Sequence, residues 1–372
     1  MAKRIKVMTI FGTRPEAIKM APLVLELNKR TEEFESIVTV TAQHREMLDQ
    51  VLEIFEITPD FDLNIMKKQQ SLAQITNRAL EGLDEVMKKV KPDIVLVHGD
   101  TSTTFAASLA AYYNQIVVGH VEAGLRTWDK YSPFPEEMNR QLTGVIADLH
   151  FAPTEKSKQN LLNENKPKEY IAITGNTAID ALKTTVDESY SSPIIDELGE
   201  KRLVLMTAHR RENLGNNMKQ MFRAIKRLVE THDDIQVVYP VHLNPVVKET
   251  ADDILGNDDR IKLIEPLGVI DFHNFASHAH LILTDSGGVQ EEAPSLGVPV
   301  LVLRDTTERP EGIDAGTLKL VGTDEDTIFN TAHELLSDQQ KHSEMAKASN
   351  PYGDGEASRR IADTIIDFFG NK

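Results

Sequence analysis

The feature that most constrains the fold is an alternation of short, almost wholly apolar runs with longer amphipathic segments. In the first half of the chain the apolar runs are residues 5–11, 37–41, 94–98, 116–121 and 170–174. Apolar runs without polar alternation are typical of strands that a parallel sheet buries on both faces. The intervening segments 16–30, 71–89 and 102–113 have the apolar spacing of helices. Strand–helix alternation of this kind predicts βαβ units with right-handed crossovers, and therefore a doubly wound α/β fold.

The same pattern begins again in the second half of the chain. Its apolar runs are residues 203–207, 235–239, 261–264, 281–284 and 300–303. The polar, turn-rich segment 187–193 lies between the two sets and is interpreted as a linker. We therefore predict two Rossmann-like domains, residues 1–186 and 187–372, with a cleft between them. A final helix at about 356–369 could pack on either domain, including back on the first.

Composition and charge exclude several classes of protein. The 372 residues include 41 Lys or Arg and 58 Asp or Glu, which gives a net charge of −17 and disfavours nucleic-acid binding. There is no cysteine, so disulfides, thiolate metal ligands and cysteine nucleophiles are excluded. No apolar run approaches the roughly 18 residues of a membrane span, and the first one is too short for a signal peptide. We expect a soluble, cytoplasmic protein without a membrane or nucleic-acid partner.

In the first half, polar residues follow the strands where open parallel sheets bind ligands, beyond the carboxyl ends. Arg14 lies where the first helix begins, a position that favours anions, and Lys19 could support it. The alternative is a capping turn with a solvated lysine. Asp100 follows the strand 94–98; because Thr101 or Ser102 could cap the next helix, Asp100 is available as a base or ligand contact.

Two further carboxylates belong to the same predicted sheet edge. Glu122 follows the strand 116–121. Burying a carboxylate there costs free energy unless the group is paired or binds a ligand. A structural ion pair with Arg126 is the alternative. Glu136 begins a helix and shares a face with Arg140, so a surface pair between these two residues is the simplest interpretation.

In the second half, His209 follows the strand 203–207 beside two arginines, where it could transfer protons or be structural. After the strand 281–284, Ser286, Gly287 and Gly288 begin a helix whose amides could approach a phosphate closely. Glu292, one turn further on, would suit the hydroxyls of a ribose.

Three histidines near these loops raise the question of a metal. They are His273, His278 and His280. A separation of two residues before a buried strand is poor ligand geometry without a third partner, and no HExxH motif is present. A metal site is therefore disfavoured.

Eight segments, in order from residue 12 to 355, resemble the signature blocks of the non-hydrolysing bacterial UDP-N-acetylglucosamine 2-epimerases. They are GTRPEAIK (12–19), GDT (99–101), HVEAGLR (120–126), PEEMNR (135–140), HRREN (209–213), DSGGVQEE (285–292), RDTTERPE (304–311) and NPYGDG (350–355). The resemblance implies a GT-B-like fold, a cytoplasmic homodimer and no metal or other cofactor. It also implies conversion of UDP-N-acetylglucosamine to UDP-N-acetylmannosamine, for cell-surface polysaccharide or teichoic-acid linkage synthesis.

The resemblance also implies roles for individual residues. The implied contacts to the nucleotide sugar or UDP are Arg14, Lys19, Asp100, Glu122, His209, Phe272, Ser286, Gly287, Gly288, Glu292 and Arg309. The implied catalytic groups are Asp100, Glu122, Glu136 and His209. Bacterial members are typically activated by a second substrate molecule beside the active site, for which the implied residues are Gln43, Glu136, Arg210 and His242. Leu267 stands where some relatives carry Gln, which leaves a backbone contact to the uracil region.

The implied reaction has a clear chemical requirement. The proton on carbon 2 of the sugar is not acidic until departure of UDP from carbon 1 creates oxocarbenium character. Elimination then gives a 2-acetamidoglucal and bound UDP. Adding the proton back on the opposite face of carbon 2 and reattaching UDP gives the epimer. Asp100, Glu122 and Glu136 are the candidate proton carriers, and the sequence does not assign a face to each. The net charge of −17 requires that attraction of the anionic substrate be local.

Three other functions share parts of this pattern. A GT-B glycosyltransferase would need an acceptor groove, whereas three acidic loops here belong to one predicted sheet edge. A hydrolysing epimerase would release UDP and free N-acetylmannosamine. A nucleotide-sugar sensor would need no acid–base carboxylates.

Overall fold

A computed structural model of the chain describes residues 3–42, 45–67, 69–307 and 309–370. Its first sheet has seven parallel strands in the order β3-β2-β1-β4-β5-β6-β7. These strands are β1 (Ile5–Phe11), β2 (Phe34–Val40), β3 (Phe61–Asp62), β4 (Ile94–His98), β5 (Val117–Val121), β6 (Leu149–Ala152) and β7 (Ile171–Ile173). The helices that alternate with them are α1 (Arg14–Lys29), α2 (Arg45–Ile54), α3 (Leu72–Val90), α4 (Ser102–Tyr113), α5 (Glu136–Ile146), α6 (Glu155–Asn163) and α7 (Thr177–Thr185).

The second sheet has six parallel strands in the order β10-β9-β8-β11-β12-β13. They are β8 (Arg202–Thr207), β9 (Ile235–Pro240), β10 (Ile261–Ile264), β11 (Ala279–Thr284), β12 (Val300–Val302) and β13 (Leu318–Leu320). The remaining helices are α8 (Pro193–Asp196), α9 (Asn216–Thr231), α10 (Pro245–Leu255), α11 (Val269–His278), α12 (Gly287–Glu292), α13 (Pro310–Asp314), α14 (Glu325–Ser337), α15 (Gln339–Ala346) and α16 (Ala357–Gly370). Both sheets are doubly wound and Rossmann-like, as the alternation predicts.

The strand β1 shows why continuous apolar runs identify this fold. Val7 and Phe11 pack with α1 and α16 on one side of the first sheet, while Met8 and Ile10 pack with α3 and α4 on the other. From Val7 to Phe11 every position of the strand is therefore buried, and this part of the strand needs no polar alternation.

Three strands carry no such signal, and the sequence analysis missed them. They are β3, β6 and β13, which have two, four and three residues. Runs this short cannot be distinguished from loops by periodicity. The start of β2 was also missed, because two of its first three residues, Glu35 and Ser36, are polar.

The chain divides into two compact units. Unit one is residues 1–183 together with 352–372, and unit two is residues 184–351. The division lies three residues before the expected border, and the last helix, α16, is part of unit one. There α16 packs on α1, and Arg30 pairs with Asp363 at 2.6 Å.

The segment interpreted as a linker lies within unit two. The backbone N–H of Asp187 donates to Asn274 Oδ1 at 2.9 Å, and the hydroxyl of Tyr190 donates to Asp271 at 2.7 Å. These two bonds attach the segment to α11. Within the described residues, no helix is both long and apolar enough to cross a bilayer.

Candidate active site

In unit one, the loops after β1 and β4 meet at the point where the strand order reverses, which is the usual ligand position of such sheets. Glu16, which is buried, joins them. It accepts hydrogen bonds from the backbone N–H groups of Gly12 (3.0 Å) and Thr13 (2.8 Å), and from the Thr101 hydroxyl at 2.7 Å. A Cβ on Gly12 would lie 2.0 Å from Thr41 Oγ1, so the close approach of the β1 and β2 loops requires glycine.

Glu122 is the most heavily bound carboxylate at this edge. Its backbone is left-handed (φ +60°) and its side chain is only 9% exposed. The carboxylate accepts a short hydrogen bond from Lys19 and one from Asn176 Nδ2 at 2.9 Å, and it lies 3.5 Å from His98 Nε2. Burial acts to raise the pKa of Glu122, but Lys19 and His98 outweigh it and hold the pKa well below its usual range. Glu122 is therefore ionised.

Asp100 has the opposite electrostatic environment. Burial raises its pKa to about 6, with a further contribution from the negative charge of Glu122, although Arg140 opposes the rise. Arg140 Nη2 lies 3.1 Å from Asp100 Oδ2, and the amide of Asn139 donates to the Asp100 carbonyl at 3.0 Å. Of the two carboxylates, Asp100 is the one that can carry a proton near neutral pH.

Both simple ion-pair interpretations for this edge are wrong. Arg126 does not neutralise Glu122; it makes a two-pronged pair with Glu164 at 2.6 and 2.9 Å. Arg140 does not pair with Glu136; it lies against Asp100 and, at 3.5 Å, against Glu137.

The structure also places the remaining predicted residues of unit one. Lys19 is not a solvated surface lysine, because it pairs with Glu122. Arg14 is the first residue of α1 and is half-buried, and it makes no ion pair with the residues the structure describes. Glu136 is the first residue of α5 and is also half-buried. Gln43 lies outside the described residues.

In unit two, Asp285 organises the loop after β8, a role that the sequence analysis did not assign. It is fully buried, and its Oδ2 accepts from the backbone N–H groups of His209 and Arg210, both at 2.9 Å. Its Oδ1 lies 3.3 Å from His209 Nδ1. His242 stacks on His209 with ring centroids 5.7 Å apart. Burial, together with the charges of His242 and Arg210, lowers the pKa of His209 despite the opposing effect of Asp285, so His209 is neutral near pH 7.

The start of α12 is covered by an arginine. A Cβ on Gly287 would lie 2.6–2.9 Å from the guanidinium of Arg309, so this close packing requires glycine. Arg309 Nε donates to buried Glu291 at 2.7 Å, which fixes the guanidinium over the helix. Ser286 precedes the helix, as predicted, but its side chain makes no capping bond.

Glu292 is held by a histidine that had been considered as a metal ligand. His273 Nε2 lies 3.4 Å from Glu292 Oε2, and His273 Nδ1 shares a hydrogen bond of 2.7 Å with the hydroxyl of Thr185. Phe272, on the same helix, is half-buried beside Leu267 at the margin of the core.

The other two histidines have separate structural partners. His278 Nδ1 lies 2.8 Å from the Asn274 carbonyl, and His280 stacks on His342 at 3.9 Å between ring centroids. Over the described ranges, no three His, Asp or Glu side chains form a group that could hold a metal ion.

Two doubly wound units, each with charged groups at the carboxyl edge of its sheet, place the protein in the GT-B-like class of folds. The family model described as UDP-N-acetylglucosamine 2-epimerase matches residues 26–366. The UDP-N-acetylglucosamine 2-epimerase of Bacillus subtilis is 68% identical over 99% of this chain and 97% of its own length. The chain belongs to the UDP-N-acetylglucosamine 2-epimerase family and is an isomerase.

Solved structures agree with this assignment. The Staphylococcus aureus protein MnaA, solved with UDP, is 56% identical with a TM-score of 0.90, covering 98% of this chain and 97% of that one. The Neisseria meningitidis UDP-GlcNAc 2-epimerase, solved with UDP-GlcNAc, is 51% identical with a TM-score of 0.87, covering 98% and 100%.

Proposed function

We propose that this protein interconverts UDP-N-acetylglucosamine and UDP-N-acetylmannosamine by eliminating UDP to a 2-acetamidoglucal and adding it back. The observation that carries the mechanism is the pair of carboxylates at one sheet edge, Asp100 and Glu122, whose pKa values are displaced in opposite directions. Opposite pKa shifts of this kind assign the role of acid to the carboxyl group with the raised pKa and the role of base to the one with the lowered pKa. The relatives solved with UDP and with UDP-GlcNAc support the choice of substrate.

The two carboxylates have complementary tasks in this mechanism. As UDP leaves carbon 1, the carbon 2 proton becomes acidic, and ionised Glu122 accepts it. Protonated Asp100 then delivers a proton to the opposite face of carbon 2, and UDP returns to carbon 1. Each conversion leaves Glu122 protonated and Asp100 ionised, with the number of protons unchanged. The reaction is redox-neutral and uses no cofactor. Glu136, at the start of α5, is the third candidate and adds to the negative potential at Asp100.

Unit two supplies the contacts to UDP in this proposal. Arg309 and the amides of Ser286, Gly287 and Gly288 would bind the diphosphate, where negative charge grows as the bond to carbon 1 breaks. Glu292, fixed by His273, would accept from the ribose hydroxyls. Neutral His209 would donate to the departing phosphate oxygen, Phe272 would contact the base, and Arg14 and Lys19 would add positive charge from unit one.

We propose that the protein is a cytoplasmic homodimer and that it acts in cell-surface polysaccharide or teichoic-acid linkage synthesis. Support for self-association comes from α4 and α5, which pack together and expose four large apolar side chains: Tyr112, Tyr113, Leu142 and Val145, at 63%, 63%, 39% and 69%. An apolar face of this kind is typical of an interface between copies. The net charge of −17 argues against nucleic acid or an anionic membrane surface as a partner.

The test of the proposed reaction is incubation with UDP-N-acetylglucosamine alone in heavy water. We expect both epimers, with deuterium at carbon 2 of each, because a proton held by a carboxylate exchanges with solvent. Nuclear magnetic resonance of the sugar measures both results in one sample. Epimer that retains all of its original hydrogen at carbon 2 would contradict the elimination route.

The same incubation separates the alternative functions. A hydrolysing epimerase would accumulate UDP and free N-acetylmannosamine, and a glycosyltransferase would leave the sugar unchanged until an acceptor was added. A sensor would bind the nucleotide sugar without producing epimer or exchange.

We propose further that UDP-N-acetylglucosamine activates the enzyme at a second site that includes Arg210, His242, Glu136 and Gln43. Two observations support the involvement of unit two. The Nε of Arg210 donates to the Asp285 carbonyl at 2.8 Å, and His242 stacks on His209. An anion bound by Arg210 and His242 would therefore act directly on His209.

Forward rates should accordingly be sigmoidal in UDP-N-acetylglucosamine, and the reverse reaction should need a trace of it to begin. Arg210→Ala and His242→Ala should lose this activation while still binding UDP, as initial rates and calorimetry would measure. His278→Ala, an exposed histidine on α11, is the matched control. Hyperbolic forward rates in the unaltered enzyme would contradict the proposal.

A further inference from the structure

His98 is a buried histidine that the mechanism so far leaves unused. It is the last residue of β4, two positions before Asp100, and is 4% exposed. Neither of its ring nitrogens has a hydrogen-bond partner among the residues the structure describes. Two unpaired polar atoms in a buried ring cost free energy, and they are characteristic of groups that act on a ligand or transfer protons.

The ring lies beside Glu122, and Asp100 follows two residues later in the chain. β4 pairs with β5 so that His98 is opposite Val121, the residue before Glu122. Its Nε2 is 3.5 Å from Glu122 Oε2. A positive charge on His98 would favour the ionised form of Asp100.

The other neighbouring side chains bind the two carboxylates and make no hydrogen bond to the imidazole of His98. Lys19 from α1 and Asn176 after β7 donate to Glu122, and Arg140 from α5 pairs with Asp100. Behind the ring, His120 Nε2 is bonded to the Gly99 carbonyl at 2.7 Å, and burial lowers the pKa of His120 to about 3, so it stays neutral. His98 is thus a buried imidazole 3.5 Å from Glu122 and two residues before Asp100, without a hydrogen bond to a described residue.

Before the next turnover, the proposed reaction needs Glu122 to lose a proton and Asp100 to gain one. Each conversion to the N-acetylmannosamine epimer ends with Glu122 protonated and Asp100 ionised, and the next requires the reverse. We propose that His98 returns this proton, accepting it from Glu122 at Nε2 and releasing the Nδ1 proton to Asp100. The inference rests on the proposed function. One proton moves, no bond to carbon changes, and exchange with water restores the starting tautomer.

The direction of this transfer is favourable. Lys19 favours the ionised form of Glu122, and burial favours the protonated form of Asp100, so the proton moves from the more acidic to the less acidic carboxyl. His98 is therefore a positioning and relay residue between product release and the next turnover, with no part in breaking the carbon–hydrogen bond.

The test uses His98→Gln and His98→Asn, which keep an amide near the position of one or the other ring nitrogen but cannot relay a proton. Because the return occurs after product leaves, it limits the rate only at saturating substrate. We expect saturated rates to fall at least about tenfold, with rates at limiting substrate within about twofold of the unaltered enzyme. Added imidazole should raise the saturated rate of the variants and leave the unaltered enzyme unchanged.

His278→Gln is the matched control and should behave as the unaltered enzyme at both substrate concentrations. An equal fall at limiting and saturating substrate would assign His98 to the fold or the chemical step and overturn the relay, as would an unchanged saturated rate. Circular dichroism checks that each variant folds. If only one of the two His98 variants folds, that variant is sufficient for the test. If the unaltered enzyme makes no epimer, the proposed function fails; if it does and His98→Gln keeps its saturated rate, only the relay fails.

Discussion

Replacing Asp100 by asparagine is expected to lower kcat by at least about 10²-fold, the usual loss when a group that transfers a proton is removed. The amide has the shape of the carboxyl group, and its oxygen can still accept from Arg140, which lies 3.1 Å away in the unaltered enzyme. It cannot deliver a proton to carbon 2. Steady-state rates and UDP titrations on the same preparation would show turnover lost and binding retained.

The pH dependence follows from the raised pKa of Asp100, about 6. The protonated form supplies the proton, so kcat/KM should fall as pH rises through this value. In the proposed complex, the negative charge of the bound nucleotide sugar raises the pKa of Asp100, which moves the same limb of the kcat profile to higher pH. Asp100→Asn should abolish the limb, because an amide does not titrate in this range.

Two further variants and a control define the result. Glu122→Gln and Glu136→Gln test the other carboxylates in the same assay. Asp49→Asn removes an exposed carboxylate on α2 that pairs with Arg45, and it should leave turnover unchanged. If the three single variants Asp100→Asn, Glu122→Gln and Glu136→Gln all keep near-normal turnover, the acid–base assignment is wrong.

The fold could be predicted because burial on both faces of a sheet leaves a direct trace in the sequence. Val7 to Phe11 are all buried, so the strand is visible without any knowledge of its neighbours. The polar loops were visible for the related reason that all strands of a parallel sheet end at the same edge. Asp100 and Glu122 follow strands of the first sheet, and His209 follows a strand of the second. Short strands such as β13 have too few residues to leave the same trace.

The partners of these residues could not be predicted, because they come from distant positions in the chain. Glu122 could in principle pair with Arg126 or Lys19, and only the folded position of α1 selects Lys19. In the sequence, nothing distinguishes Asp285 from the other acidic residues. In the structure, its carboxylate accepts hydrogen bonds from two backbone N–H groups 75 and 76 residues away. His273 gave the signal of a metal ligand, although its partners are a hydroxyl and a carboxylate.

Removing the guanidinium of Arg309 is expected to weaken UDP binding by roughly 10- to 100-fold, as loss of a charged hydrogen bond to a phosphate does. Arg309 is held over the start of α12 by Glu291 at 2.7 Å, so no ordering of the side chain is needed when the diphosphate binds. Isothermal titration of Arg309→Ala with UDP measures the loss. Arg227→Ala, an arginine on α9 that pairs with Glu325 and Asp326, should bind UDP as the unaltered enzyme does.

Gly287→Ala tests the same contact without removing a charge. The added Cβ would lie 2.6–2.9 Å from the Arg309 guanidinium, and the flexible end of that side chain can move away. The fold should therefore survive, which thermal unfolding would check, while the guanidinium is displaced from the helix start. We expect UDP affinity to fall in Gly287→Ala as in Arg309→Ala, and the double variant to be no weaker than Arg309→Ala alone, because both changes act on one interaction. Unchanged affinity in both single variants would exclude the start of α12 as the diphosphate site.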